Sequence, residues 1–556
     1  MKLWKRLLAI PIAASLVMGL PPAPTLAEDT THSHPICGAA HKDIGDHTGT
    51  CADVAWTAWD GTSEITYDAN NTAYVYLAGD VTRDVTLDIK AGYTLYLCLD
   101  GHSMTSSATD KEVIYARNGA NFILCDCTGG GKITHSPNVT GRGVRVSEGG
   151  SNKASFTMYG GEISGNHGGQ GAGIETQNGT VTMYGGTISD NHVDAASNYG
   201  GGGVCAHSSG RFTMYGGTIS NNESTIDGGG GVTVWGGGLV TIAGGTISGN
   251  KATEDGGGIY TNGTLIISGN SVIENNEAGN GGGVFYYGTY SSMTISGSAK
   301  IAGNTATGNG GGICFENGKG TLMLNGGSIT GNTTTGNGGG VYFKGGAFSI
   351  SGNLDISGNK KSGADNNVYL PTNKYITIAG ELTGRNPIGV TTEKTPNASN
   401  YVRIASGSKN YADPKKFSYE NDSTPVSATS QNNSTANLVV CKHSLNSTWS
   451  SDSFSHWHAC SICKGKEDIA AHTYDQETVN EQYKASPATC LSGTTYYMSC
   501  VCGAKGADTF EVGGIDPANH SGTLDPDWKS NDTNHWKEYS CCRAHAEEAA
   551  HSGGTA

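Results

Sequence analysis

Long apolar runs, basic stretches and proline are what this sequence has least of. Beyond residue 27 no apolar run approaches the ~20 residues that a membrane-spanning helix requires, so no membrane span is expected once the first segment is removed. Acids outnumber bases by 49 to 34, and no long basic run offsets the formal charge of −15. That balance excludes a nucleic-acid or anionic-membrane partner held by charge. Only 14 prolines occur in 556 residues, and glycine follows no every-third-residue period, which excludes collagen. What is abundant is glycine itself: its 86 residues are about twice the ordinary usage of ~7%.

The chain opens with Lys2, Lys5 and Arg6, then the apolar "LLAIPIAASLVMGL", then "TLA" ending at Ala27. A charged start, a short apolar run broken by Pro11 and small residues at a cleavage position read as an export signal over 1–27. No lipobox cysteine and no LPxTG-type motif follows, so the mature protein is expected to be secreted or cell-surface associated without an anchor of either kind.

From residue 160 onward a short motif recurs as "EISGN", "TISDN", "TISNN", "TISGN", "VIENN", "KIAGN", "SITGN" and "DISGN". Its isoleucines, Ile163, Ile188, Ile219, Ile247, Ile273, Ile301, Ile329 and Ile356, are 25, 31, 28, 26, 28, 28 and 27 residues apart. Three residues after each stands an asparagine, from Asn166 to Asn359. A period of this size means a solenoid, propeller or array. Runs of glycine forbid helices, each glycine costing about 1 kcal/mol in a helix interior, and 27–28 residues are too few for a four-stranded blade. Three short strands per turn fit, at "FTMYGG", at the isoleucine motif and at "GGGV". The expected fold is therefore all-β, a parallel β-helix with isoleucines in the bore and Met158, Met183, Met214 and Ile242 as a second internal column. Asparagines are expected at turns needing a left-handed backbone and glycines at corners. The divisions expected are 1–27 signal, 28–69 Cys/His-rich segment, 70–384 β-helix, 385–440 terminal coils or cap, and 441–556 Cys/His/Trp modules.

The "GGTISGN…GGGV" repeats resemble exported bacterial right-handed parallel β-helix proteins, adhesin-like surface proteins and the pectate-lyase-like fold among them. The resemblance and the handedness of parallel crossovers imply a right-handed coil. It covers at most residues 70–440 and implies architecture, since this fold hosts lyases, hydrolases, adhesins and stalks alike. The "NTD", "DD", "GHG" and "RIK" motifs of polygalacturonase-type enzymes do not occur, nor does the calcium repeat GGxGxD.

Strand alternation places Tyr159, Tyr184 and Tyr215 outward on successive coils, and Tyr260, Phe285 and Tyr342 outward on the "GGGV" strand. Exposed aromatic rows suit sugar rings or a protein surface, with cross-coil stacking as the alternative. Cys98 and Cys125, one repeat apart, fall within disulfide reach on stacked strands. In the terminal modules Trp449, His456, Trp457, Cys460, Cys463 and His472 form W-x6-HW-x2-CxxC-x8-H, and a degenerate copy follows in Trp528, His535, Trp536, Cys541, Cys542, His545 and His551. These modules resemble short Cys/His/Trp repeats at the ends of Gram-positive surface proteins. His456, Cys460, Cys463 and His472 are the candidate ligands of a structural zinc, and disulfides are the competing state for an exported chain. The sequence thus reads as a non-enzymatic, adhesin-like β-helix that binds glycan or extracellular protein. A polysaccharide-active enzyme working on the β-helix flank, and a passive spacer for the modules, are the alternatives.

Overall fold

Strand after strand of the repeat pairs in parallel with its equivalent one turn further on. The computed structural model describes residues 32–36, 53–147, 152–194, 200–288, 291–316, 318–430 and 434–553; the expected signal segment, and Cys37, His41, His47 and Cys51, lie outside them. The eight isoleucines stand opposite one another in unbroken register from Ile163 to Ile356, and every one is buried. Met158, Met183, Met214 and Ile242 form the second internal column, also in register and fully buried. The "GGGV" strands make a 13-stranded sheet that is parallel throughout, from Leu87–Ile89 to Phe417–Tyr419.

A fourth strand column joins the expected three. Immediately after each asparagine, two-residue strands such as His167–Gly168, His192–Val193, Glu223–Ser224 and Lys251–Ala252 pair in parallel. The asparagines enforce that pairing. Each Nδ2 donates to the Oδ1 of the next asparagine at 2.9 Å, from Asn166 through Asn191, Asn222, Asn250, Asn276, Asn304 and Asn332 to Asn359. The same Oδ1 also accepts the preceding asparagine's backbone N–H, as Asn276 does from Asn250 at 3.0 Å. The second Nδ2 proton reaches an isoleucine carbonyl, Ile219 in the case of Asn250. One end of this buried ladder is closed by His135 Nδ1, which donates to Asn166 Oδ1 at 2.8 Å. At the other end Asn359 donates to Asn367 Oδ1, and Asn367 in turn donates to the Glu420 carboxylate.

The ladder corrects the expectation that the asparagines supply left-handed turns. The residue just before the asparagine carries the positive φ, as at Asp190 (54°), Asn221 (55°), Gly249 (64°) and Asn275 (55°). The asparagine itself turns inward and is 0–1% exposed throughout the column. Glycine has a second use beside the corners. A Cβ on Gly258 would lie 2.6 Å from the Gly283 carbonyl oxygen and 3.1 Å from Asn276 Nδ2, so the absence of a side chain is what lets the next coil and the ladder approach.

Parallel stacking begins at Asp53–Trp59 against Thr72–Leu77. The far end turns antiparallel, with Thr435–Val440 lying between Val402–Ser408 and Val426–Ser430. Three small antiparallel sheets follow, built on the central strands Ser455–Cys460, Thr494–Ser499 and Asn534–Glu538. No helix of the described residues is long and apolar enough to cross a membrane.

Candidate functional site

Strand ends and hairpin turns bring cysteine and histidine together in four clusters, each with its four ligand atoms within 4.8 Å of one another. His32 and His34 point to one side of their strand, as residues two apart must, and meet Cys98 and Cys127 on adjacent coils. Cys441 and His443 leave the last solenoid strand and meet Cys460 and Cys463 in the first module. His456 and His472, at the opposite end of that module, meet Cys500 and Cys502 of the second. Cys490 and His520 meet Cys541 and Cys542 of the third.

The expected ligands His456, Cys460, Cys463 and His472 are thus divided between two clusters. The module is a three-stranded hairpin sheet, and its knuckle and its histidine edge lie at opposite ends. Cys441, His443 and His520 are cluster members that the motif spacing missed, because each arrives from a neighbouring unit. The C-x-H of 441–443 was the available signal.

Tetrahedral zinc with bonds of about 2.0–2.3 Å sets its ligand atoms roughly 3.3–3.8 Å apart. Several separations fit: Cys98 to Cys127 is 3.4 Å, Cys441 to Cys460 3.7 Å, Cys463 to His443 Nδ1 3.5 Å, and Cys542 to His520 Nδ1 3.3 Å, while Cys541 to His520 Nδ1 is longer at 4.0 Å. Cys500 to His456 Nδ1 and Cys502 to His472 Nδ1 are both 3.4 Å. Every described cysteine is unbonded to another. Cys98 and Cys125 are register partners on neighbouring strands, and the sulfur standing beside Cys98 Sγ in the cluster is that of Cys127.

The histidines are oriented as metal ligands are, with the second ring nitrogen held by a carboxylate or carbonyl. His34 Nδ1 donates to the Pro35 carbonyl at 2.7 Å, His472 Nε2 donates to the Asp452 carbonyl at 2.8 Å, and His443 Nε2 lies 3.1 Å from Glu467. Each terminal knuckle also has one acidified thiol. Burial pushes Cys460 up, but the backbone N–H of Cys463, His443 and the N–H of Ile462 together bring it down to about 6. In the same way N–H of Cys502 and His472 outweigh burial at Cys500, which falls to about 7. Thiolates are the ligand form. Each cluster offers four protein donor atoms, the number that a tetrahedral metal site takes.

The aromatic rows are stacked, not splayed. Tyr159, Tyr184 and Tyr215 lie ring on ring at 5.1 Å. Tyr159 is buried, in a cluster with Ile36, Trp56, Cys98 and Cys125, so it is not outward-facing surface; only Tyr215, 44% exposed, is broadly open. The N-terminal strand covers the row's first member. On the other strand Tyr260 and Phe285 stack at 5.4 Å and are themselves buried in a cluster with Cys314 on the next coil, against which Trp235 and Tyr342 pack. Tyr342 stacks on Tyr369 at 5.6 Å.

That second row nevertheless floors a concavity of about 490 Å3, where Trp235, Tyr260, Phe285 and Tyr287 are edged by Asp227, Asp255, Asn280, Asn309 and Glu316. Burial pushes the Asp255 carboxyl up to about 6; Asn280 opposes this, and the charges of Asp227, Glu254 and Glu316 reinforce it. Trp235 and the acids were not singled out from sequence, since they meet only when coils stack. A slightly larger concavity of about 530 Å3, lined by Lys374, Tyr375, Lys394, Tyr401 and Arg403, lies where the solenoid cap meets Ile462 of the first module.

Comparison of the chain with protein-family models, with curated proteins and with solved structures finds no match in any of the three.

Proposed function

We propose that this is an exported, adhesin-like β-helix protein that binds glycan at the flank concavity, its terminal modules held by structural zinc. The observation that carries the binding reading is the aromatic floor of Trp235, Tyr260, Phe285 and Tyr287 rimmed by carboxylates and amides. Flat apolar rings pack against the C–H face of a sugar, and carboxylate and amide oxygens accept its hydroxyl protons. An extracellular protein is the other partner class such a surface fits.

Zinc suits the donor sets, two clusters of Cys2His2 and two of Cys3His, better than a hard oxygen-seeking cation does. Those residues would hold it, and the ion would supply the cross-link that a small apolar core cannot.

A glycan array probed with the full chain and with Trp235→Ala tests the binding site. Signals on defined glycans that Trp235→Ala abolishes are expected, and equal retention of both proteins rejects the site. One observation favours a second reading, a polysaccharide-active enzyme: the Asp255 carboxyl, with a pKa near 6 beside Asp227, is a usable proton donor. Release of reducing sugar or unsaturated product by the full chain, lost in Asp255→Asn, decides for that reading. Zinc content of the purified protein tests the centres.

A further inference from the structure

The first and third modules superimpose in sequence with a constant offset of 79 residues. Trp449, His456, Trp457 and His472 correspond to Trp528, His535, Trp536 and His551. The geometry repeats as well. The His456 and His472 rings are 5.6 Å apart at 43°, and those of His535 and His551 are 5.6 Å apart at 38°. Trp449 packs edge-on against His456 at 4.6 Å, and Trp528 against His535 at 4.8 Å. Left-handed residues recur at Lys464 and Arg543 and at Asp468 and Glu547. His472 N–H donates to the Phe454 carbonyl, and His551 N–H to that of Thr533.

The three module junctions share one logic: a pair of ligands from one unit meets the two-cysteine knuckle of the next. In the first module the pair is His456 and His472, completed by Cys500 and Cys502. In the third, no further ligand joins His535 and His551 among the described residues, and all eight described cysteines from Cys441 onward are committed to other clusters. The knuckles of a second copy of this chain are committed in the same way.

We propose that His535 and His551 are half of a fifth metal site, completed by a hairpin knuckle of another polypeptide segment that presents two thiols in a Cys-x-Cys turn. The assembly is two neutral imidazoles, two thiolates and one divalent zinc; the thiols release two protons to solvent as they bind, and no redox step is involved. His535 and His551 thereby form a docking face whose bond to that segment is the metal ion. This inference rests on the reading of the four clusters as metal centres.

The test uses the full chain loaded with cobalt(II), which reports tetrahedral sulfur–nitrogen coordination in its visible spectrum, and a synthetic peptide of residues 494–512 carrying Cys500 and Cys502 as the knuckle. The chain is expected to take up four equivalents alone and a fifth only with the peptide, and peptide binding should weaken at least about tenfold when the metal is withheld. The fifth equivalent should vanish with the His535→Gln/His551→Gln chain or with a peptide in which both cysteines are serine. Uptake of four equivalents by the double variant shows that it is folded. Four equivalents with no peptide-dependent fifth, or a fifth that survives the double variant, overturns the docking site. Fewer than four equivalents in the unaltered chain overturns the metal centres themselves, and the docking site with them.

Discussion

The solenoid and the terminal modules are both thin β structures, and they solve the problem of a thin cross-section in opposite ways. The solenoid repeats one small section so often that its bore becomes continuous. Isoleucine stacks on isoleucine, and each asparagine is satisfied by its neighbours on the coils above and below. Between residues 464 and 553 the buried apolar side chains among the described residues are only Tyr483, Cys490 and Cys500. With almost nothing to bury, each module instead shares a Cys/His cluster with its neighbouring units, where the proposed zinc would cross-link them. Repetition makes stability additive along the coil, whereas cross-linking concentrates it in a few ligand atoms.

Metal removal separates the two regimes most sharply. Structural zinc contributes roughly 10–16 kcal/mol of apparent binding free energy in small domains, so a strong chelator should abolish the fold of residues 441–553. The coil from about 140 to 384 should keep its protection, because no cluster lies within it among the described residues. Hydrogen exchange read peptide by peptide, with and without chelator, measures this. Protection in the modules that is indifferent to chelation rejects metal as their cross-link.

The solenoid is expected to break at its ladder. Asn250→Ala removes the acceptor of the Asn222 backbone N–H and Nδ2 and the side-chain donor to the Ile219 carbonyl, while Asn276 Oδ1 keeps the residue-250 backbone N–H. At about 1–3 kcal/mol per buried group left unpaired, a loss of roughly 3–6 kcal/mol is expected. Ile247→Asn, which places an amide in the apolar column, should cost about 2–4 kcal/mol. Denaturant titration followed in the coil checks both. If Asn250→Ala proves milder than Ile247→Asn, the ladder fixes register more than it stabilises.

The same contrast decides what could be read in the sequence. The coil was legible because its information is periodic: eight isoleucines at 25 to 31 residue intervals name their own neighbours. The role of the asparagines was only half legible, since a residue beside a turn and a residue in the turn look alike in sequence, and only the positive φ of Asn221 and Asn275 assigns the turn to the preceding position. The metal clusters use no period. Cys460 and His456 lie four residues apart on one strand, yet they face opposite junctions, and their partners Cys441 and Cys500 come from units that spacing does not connect. The aromatic rows were placed on the correct strands, but whether a ring is open or covered depends on its neighbours. Tyr159 is buried among Ile36, Trp56, Cys98 and Cys125, which no local pattern announces.

Binding should depend on the coil's outer surface and be independent of the modules. Tyr287, in the aromatic floor of the concavity, is 50% exposed. Tyr287→Ala is therefore expected to leave the melting temperature unchanged and to reduce glycan affinity about tenfold, or ~1.4 kcal/mol. Chelator should leave that affinity unaltered. Binding that falls with chelator while Tyr287→Ala is silent would move the site to the modules.

The smallest expected effect concerns Asp255 in the polar rim of the concavity. In the folded chain its carboxyl holds a proton up to about pH 6, whereas an unfolded aspartate releases it near 3.9. Between those values the native state binds the extra proton and unfolding releases it. Stability contributed by this group is therefore full below about pH 4, declines as pH rises through about 6, and is flat above. Asp227, Glu254 and Glu316 repel the ionised form, Tyr260 stands beside it, and Asn280 Nδ2 donates to it at 2.9 Å. Asp255→Asn keeps the shape and removes the titration, so its melting temperature should lose the downward slope between pH 4 and 6, a difference of no more than about 2 °C. A slope that persists in Asp255→Asn would transfer the proton to Asp227, whose carboxyl burial and Glu254 also push upward.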